Sequence, residues 1–170
     1  MSTLTHRLIG AARLNAKSYE EVEADPRTTG QAIGVVLLSS AAAAIGSGIT
    51  DVAGFAGILV AAVLSWIIWV LLTLFIGTRL LPGKQTQADF GQVLRTTGFS
   101  ASPGLLRILG VVPVVGWYIF MGATVWMLFT FVTAIRQALD YDSTSRALAV
   151  SLLGWMIHAA LLFVFVLTAI

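Results

Sequence analysis

The residue in this sequence whose type and position most suggest a chemical role is Arg107, which lies in the apolar run GLLRILGVV. A guanidinium in such a run is costly unless it pairs with an acid, reaches a polar surface or faces water. Asp51 is the acidic residue that we expect on the same side of the protein. We therefore predict a structural ion pair between Arg107 and Asp51, with a role for Arg107 in binding an ion or substrate as the alternative.

His158 is a second ionisable residue within an apolar segment. An imidazole at such a position can relay protons or bind a metal. The apolar segments offer it no carboxylate, and the only other histidine is His6 near the N-terminus, so we predict no metal site. A hydrogen bond from His158 to a Ser or Thr of a neighbouring segment is the favoured interpretation.

Enzymatic catalysis is not predicted. Hydrolysis within a membrane requires a nucleophile with its base, a pair of aspartates or an HExxH motif, and the apolar segments contain none of them. The absence of cysteine excludes thiolate metal sites and cysteine nucleophiles. No motif predicts a cofactor, and a net charge of +2 on scattered residues does not predict nucleic-acid binding.

The composition requires lipid as the solvent for much of the chain. Of the 170 residues 58% are hydrophobic and only 11% are charged, and the mean hydropathy is +0.92. A compact soluble fold of this size could not hide so much apolar surface from water. The first 28 residues lack an apolar stretch with a small-residue cleavage site, so we expect no removable signal peptide.

The apolar runs predict an all-α integral membrane protein with a bundle of five helical spans. A cytoplasmic amphipathic arm, residues 1–28, precedes the membrane domain, residues 29–170. We predict spans at 29–50, 52–78, 96–112, 114–135 and 146–168. Amphipathic helices on the cytoplasmic membrane surface are predicted at 85–98 and at 2–22, the latter with one apolar face made of Leu4, Leu8, Ala11, Tyr19 and Val22.

The third apolar run is the shortest, so its length and the flanking charges must show whether it crosses the membrane. From Pro103 to Val112 it would be only about 15 Å long, whereas residues 96–112 with a kink at Pro103 are just long enough. Lys and Arg number four before the first span, three between the second and third, two between the fourth and fifth, and none in the other connections. This alternation predicts five crossings with the N-terminus in the cytoplasm and the C-terminus outside.

Small and aromatic residues indicate how the spans pack. The first span has repeated small-xxx-small spacing, which lets another backbone approach closely. In the second span, two tryptophans three residues apart predict burial against other spans or a cavity wall. These candidate packing residues are Gly30, Gly34, Gly46, Gly48, Trp66 and Trp69.

The central motifs resemble the YIP domain, a family of membrane proteins that interact with Ypt/Rab GTPases. The segments that carry the resemblance are FGQVLRTTGFSASP and GLLRILGVVPVVG around the third span and YDSTSRALAVSLLGW at the fifth. It covers the chain from about Leu4 to Thr168 and implies a five-helix bundle, N-in and C-out, with roles in vesicle traffic and membrane shaping in eukaryotic relatives. The short arm and the lack of a DLYGP-like segment instead resemble a compact prokaryotic-type member, which argues against a GTPase partner.

Together these features predict a non-enzymatic, multi-pass protein of a prokaryotic plasma (inner) membrane. We expect it to bind or organise membrane lipids or membrane proteins, including a second copy of itself. The alternative is a small channel or transporter with a path near Pro103 and Arg107. A water-filled cavity lined by Arg107, Ser100, Ser102 and His158 would favour the transporter, whereas a dry core with a paired Arg107 would favour the binding protein.

Overall fold

The computed structural model describes the backbone of residues 3–169 and the side chains of residues 3–160, and this part of the chain is helical without a strand. It contains the α-helices α1 (Leu4–Ala12), α2 (Ala16–Ala24), α3 (Thr29–Gly46), α4 (Val52–Phe75), α5 (Phe90–Ser100), α6 (Gly116–Ala138) and α7 (Thr144–Ala169). A 3-10 turn, Pro26–Thr28, precedes α3, and a π-helical turn, Ile76–Leu80, extends α4. A 3-10 segment, Ser102–Val111, follows α5.

Three helical stretches among the described residues are long and apolar enough to cross a membrane. They are Pro26–Gly46, Val52–Leu80 and Gly116–Ala138, with 21, 29 and 23 residues. At about 1.5 Å per residue each reaches the roughly 30 Å of a hydrocarbon core. The final helix α7 has 26 residues, which is also a sufficient length. These helices agree with the first, second, fourth and fifth predicted spans to within a few residues.

The predicted third span is built differently from our expectation. A helix begins at Phe90 because Asp89 and Gln92 form a capping box, in which each side chain accepts a hydrogen bond of 2.8 Å from the other's backbone N–H. Residues 93–100 of this helix are buried. The prediction of a separate surface helix at 85–98 is therefore wrong: most of that stretch is the first part of a buried element.

The backbone changes from α-helix to 3-10 helix at the predicted kink. Pro103 lies in the first turn of the 3-10 segment, where its missing N–H costs little, but its ring is incompatible with a continuing α-helix. The 3-10 segment then runs for 10 residues. A change of helix type thus replaces the simple kink that we predicted within residues 96–112.

Helix α5 and the 3-10 segment together run parallel to α3, in the same chain direction. Near one end, a Cβ atom added to Gly98 would lie 2.8 Å from the Cβ of Ala32. Near the other end, a Cβ on Gly110 would lie 2.5 Å from the carbonyl oxygen of Gly46. Because both distances are below normal contact, the two elements pack closely near both ends of α3. This element also packs against α2, α4 and α6, and its residues 93–104 are buried.

The N-terminal arm is a hairpin of two helices, so the prediction of one helix at 2–22 is wrong. Leu14 adopts the left-handed conformation with φ of 60°, which ends α1. Asn15 then caps α2 by accepting a hydrogen bond of 3.1 Å from the backbone N–H of Lys17. The chain therefore breaks at Asn15, although its amphipathic pattern would allow one continuous helix.

The apolar face of the arm packs on the bundle instead of facing the membrane surface as predicted. Ala11, Tyr19 and Val22 are buried, and Leu8 packs beside them. The hydroxyl group of Tyr19 lies 3.2 Å from the carbonyl oxygen of Thr130 on α6 and donates a hydrogen bond to it. The hairpin is therefore part of the folded bundle.

Several helix ends meet at the end of the bundle that includes this hairpin. Thr86, before α5, donates a hydrogen bond of 2.8 Å to the carbonyl of Leu139, after α6. Tyr141 donates to the carbonyls of Gly77 and Leu81 at 3.1 and 2.6 Å. The ends of α4 and α6 and the starts of α5 and α7 are thus joined by hydrogen bonds.

A candidate intramembrane binding site

A cavity of about 430 Å³ lies between α3, α4, α5, α6 and α7. Part of its wall is aromatic, and part consists of hydroxyl groups and one guanidinium. The aromatic residues are Trp66, Trp69, Phe131 and Trp155, which we call the aromatic wall. The polar lining residues are Ser39, Ser40, Ser65, Thr97, Ser100, Thr124 and Arg107.

Helix α4 positions the aromatic wall. Trp66 is buried, and its indole N–H donates a hydrogen bond of 3.0 Å to the hydroxyl of Thr97 on α5. The ring of Trp69 meets the rings of Phe131 and Trp155 edge to face, with centroid distances of 5.4 and 6.3 Å. Both tryptophans lie in a cavity wall, one of the two predicted alternatives, and Trp66 is also buried against other helices.

Arg107 reaches the cavity from the 3-10 segment. Its Nη2 donates hydrogen bonds to the carbonyl and the hydroxyl of Ser39 at 3.1 and 2.9 Å, and its Nε donates to the carbonyl of Gly104 at 3.3 Å. The guanidinium carbon lies 5.7 Å from the ring centroid of Phe120, within the range of a cation–π contact. Of the five N–H donors, the two on Nη1 make no hydrogen bond to any described residue.

The predicted ion pair between Arg107 and Asp51 is not formed. The carboxylate of Asp51 instead caps α4, accepting a hydrogen bond of 2.6 Å from the backbone N–H of Gly54. Helix α4 begins at the next residue, and its free N–H groups and dipole already stabilise the carboxylate of Asp51. This ion-pair prediction was wrong, and Ser39 takes the place of Asp51.

His158 and Ser102 are not among the lining residues of this cavity. The imidazole of His158 lies over Trp69 with a centroid distance of 5.5 Å, and its buried Nδ1 has no hydrogen-bond partner within the described part. The predicted bond to Ser or Thr is therefore not made by this atom. The hydroxyl of Ser102 is likewise buried without a described partner, next to the buried Pro103.

The four candidate packing glycines have different surroundings. A Cβ on Gly46 would overlap the carbonyl oxygen of Arg107, so close packing within the chain occurs at Gly46. Gly48 has a φ of 82° and turns the chain after α3. A Cβ on Gly30 or Gly34 would meet no described atom within 4 Å, so packing at these two positions against a partner stays a prediction.

Arg95 has a structural role that its sequence position did not reveal. Its side chain is buried, and its Nε donates hydrogen bonds to the carbonyls of Val22 and Glu23 at 3.0 and 3.2 Å, while its Nη2 also donates to Glu23. A cation at the C-terminal end of α2 interacts favourably with the helix dipole. Nothing in the sequence around it, QVLRTTG, signals this burial.

The carboxyl group of Glu23 is the titratable group beside this contact. Burial, together with the nearby carboxylates of Asp140, Glu20 and Asp89, raises its pKa from 4.5 to about 7. The guanidinium of Arg95 lowers the pKa in part. Glu23 can therefore exchange its proton near neutral pH.

The described residues offer no group of three or more His, Asp or Glu side chains that could hold a metal. The lining of the cavity also places no acid or imidazole beside a hydroxyl nucleophile. The chemistry that the lining supports is binding, through hydrogen bonds, one positive charge and an apolar surface.

Helices of span length, packed around the buried residues 93–104, define a helical membrane protein. The Yip1 domain matches residues 15–166, which is most of the chain, and the chain belongs to this family. The resemblance predicted from the motifs is confirmed. No match to the chain was found among curated proteins or solved structures.

Proposed function

We propose that this Yip1-family protein is a non-enzymatic, multi-pass membrane protein that binds and organises membrane lipids. The cavity is the observation that carries this proposal. Its volume of about 430 Å³ falls within the range of about 300–1,000 Å³ that is typical of small-ligand sites. Its lining joins an aromatic surface to hydroxyls and a guanidinium, which matches a molecule with a hydrocarbon chain and a polar head group.

The proposal includes five spans, with the N-terminus in the cytoplasm of a prokaryote and the C-terminus outside. Helix α5 contributes about 16 Å and the 3-10 segment about 20 Å, enough to cross a core of about 30 Å. Contacts of this element with both Ala32 and Gly46 support a crossing beside α3. The alternation of basic residues supports the orientation.

Single cysteines test this orientation, since the natural chain has none. Thr50 and Ser143 are exposed and lie in different connections. We expect a membrane-impermeant maleimide to label Thr50→Cys on intact cells, and to label Ser143→Cys only after the cells are opened. Labelling of both from the same side would contradict the five-span topology.

Lipid retention tests the binding function. The protein is purified in mild detergent, and the lipids that remain bound are quantified by mass spectrometry. Ala62 lines the cavity, whereas its neighbour Ala61 is exposed on the same helix. We expect Ala62→Phe to reduce the bound lipid and Ala61→Phe to leave it unchanged. Equal lipid in the two variants and the unaltered protein would contradict a cavity function.

Transport is the second candidate, because Arg107 and Ser100 line the same cavity. A solute path would use the break between α5 and the 3-10 segment at Pro103. Reconstituted vesicles distinguish the two functions: solute flux that stops in Arg107→Leu supports a transporter, and bound lipid without flux supports the binding protein.

A protein partner or a second copy is a further part of the organising role. The surface around Gly30 and Gly34 supports this, since no described atom covers these glycines and their lack of side chains lets another helix approach closely. Chemical crosslinking in native membranes should give a crosslinked species that Gly34→Leu weakens. A crosslinking pattern unchanged by Gly34→Leu would remove this surface from the proposal.

A further inference from the structure

We propose that the cavity takes an anionic amphiphile, whose acidic oxygens bind the free Nη1 of Arg107 and whose hydrocarbon chain lies on the aromatic wall. The ligand class follows from the charge, the hydrogen-bond donors and the shape of the lining. This inference rests on the lipid-binding function proposed above and names the head-group chemistry of that ligand.

The charge of the lining is not balanced within the described chain. Arg107 is the one charged residue among the lining residues, and it forms no ion pair with a described acid. The ion pairs among the described residues lie elsewhere, at the N-terminal hairpin, where Arg7 pairs with Glu21 and Asp25. An uncompensated cation in an apolar site is costly, and an anionic ligand removes much of that cost.

The guanidinium is held in place, with one nitrogen left to bind. Ser39 and Gly104 fix Nη2 and Nε, so the planar group cannot turn without losing these hydrogen bonds. The two N–H groups of Nη1 remain, and a guanidinium edge suits the oxygens of a carboxylate or phosphate. The hydroxyl of Ser39 accepts from Arg107 but donates to no described acceptor, which leaves its hydrogen available to the same ligand.

Gly104 allows this arrangement. A Cβ at this position would overlap the Oγ of Ser39 and lie 3.1 Å from Nη2 of Arg107 and 2.7 Å from the sulfur of Met127. A side chain here would therefore displace the hydroxyl from the guanidinium. The absence of one lets α3, α6 and the 3-10 segment meet where Arg107 enters the cavity.

The aromatic wall provides an apolar surface for the hydrocarbon chain of the ligand. The edge-to-face contacts of Trp69 hold Phe131 and Trp155, and the hydrogen bond to Thr97 holds Trp66, so the rings are fixed without filling the cavity. Most of the other hydroxyls in the lining donate to backbone carbonyls of their own helices, as in Ser40, Ser100 and Thr124. They offer little to a strongly polar solute. A hydrocarbon chain with one acidic end fits a lining that is aromatic on one part and carries its free polar donors at Arg107 and Ser39.

Tryptophan fluorescence measures this binding directly, because three of the five tryptophans line the cavity. Purified, delipidated protein in neutral detergent is titrated with phosphatidylglycerol or phosphatidylcholine that carries brominated chains, which quench nearby indoles. Oleate and inorganic phosphate are added as competitors. We expect phosphatidylglycerol to bind at least about tenfold more tightly than phosphatidylcholine, oleate to compete, and inorganic phosphate to compete only weakly.

Variants at the guanidinium supply the control. Arg107→Gln keeps hydrogen-bonding capacity towards Ser39 but loses the charge, so we expect the two lipids to bind it equally. Arg107→Lys keeps the charge and should keep part of the preference. If these variants do not fold, the unaltered protein decides: its preference for the anionic lipid must fall as salt is raised.

The outcomes separate this inference from the function on which it rests. Equal quenching by both lipids that neither salt nor Arg107→Gln changes would overturn the anionic class and leave lipid binding intact. Binding of inorganic phosphate as tightly as of the lipid would overturn the amphiphile and leave a free-anion site. No saturable quenching by either lipid would overturn both proposals.

Discussion

Replacing Arg95 by methionine tests how the N-terminal hairpin is held on the bundle. The buried guanidinium donates to the carbonyls of Val22 and Glu23 at the end of α2, with Nε distances of 3.0 and 3.2 Å. Methionine is about as long as the aliphatic stem of arginine and keeps much of the apolar contact of that stem. The substitution therefore removes chiefly the hydrogen bonds and the charge.

The size of the effect follows from these contacts. Hydrogen bonds from a charged group contribute about 1.5–3 kcal/mol, and a cation at a helix C-terminus adds about 0.3–1 kcal/mol. We therefore expect Arg95→Met to weaken docking of the hairpin by about 2–4 kcal/mol. Since about 1.4 kcal/mol is a factor of ten, the released form should become at least tenfold more populated.

Limited proteolysis measures this release. Arg13 and Lys17 are exposed beside the α1–α2 turn, and trypsin cleaves there faster once the hairpin detaches from α5 and α6. We expect cleavage to be at least about tenfold faster in Arg95→Met, with Arg95→Lys in between because it keeps the charge. Unchanged cleavage in Arg95→Met, with a melting temperature equal to that of the unaltered protein, would refute the role of this contact.

Other residues give further tests in detergent-solubilised protein. Gly46→Ala should lower the melting temperature by many degrees, because the new Cβ meets the backbone of the 3-10 segment. The control Gly34→Ala should have almost no effect, since its Cβ meets no described atom. Similar melting temperatures for the two variants would be inconsistent with the contact at Gly46. Thr97→Val should cost about 1–3 kcal/mol by leaving the buried indole N–H of Trp66 unpaired, as chemical denaturation can measure. The pKa of Glu23, raised to about 7 first of all by burial, means that the folded chain retains a proton that the unfolded chain has lost. The unfolding free energy should therefore fall as pH rises from about 4.5 through about 7, and Glu23→Gln should flatten that slope; an identical slope in the variant would argue against this titration.

The long helices could be predicted because bilayer thickness fixes the length of an apolar run. This is why α3, α4, α6 and α7 lie close to their predicted bounds. The break at Asn15 was missed because a single capping side chain competes with a continuous amphipathic pattern, and the pattern alone does not tell which prevails. The change to 3-10 helix at Pro103 was missed for a similar reason, since a proline permits either a kink or a new helix type.

The candidate site was predictable in its residues but not in their partners. The low hydropathy of a lone Arg107 singled it out, and the three-residue spacing of Trp66 and Trp69 placed them on one face. The choice of Ser39 over Asp51 depends on distances between helices and on the local cap that Asp51 makes. The cavity itself arises from how five elements fail to fill the space between them, which the order of residues along one helix does not specify.

Photocrosslinking tests the central claim most directly. Protein in native membranes is supplied with a phosphatidylglycerol that carries a diazirine on its acyl chain, irradiated, and mapped by peptide mass spectrometry. We predict adducts concentrated on the cavity lining, at Trp66, Met127 and Trp155, and lost in Ala62→Phe. Adducts spread over outward-facing residues such as Leu64 and Leu71, and unaffected by Ala62→Phe, would contradict a lipid-binding cavity.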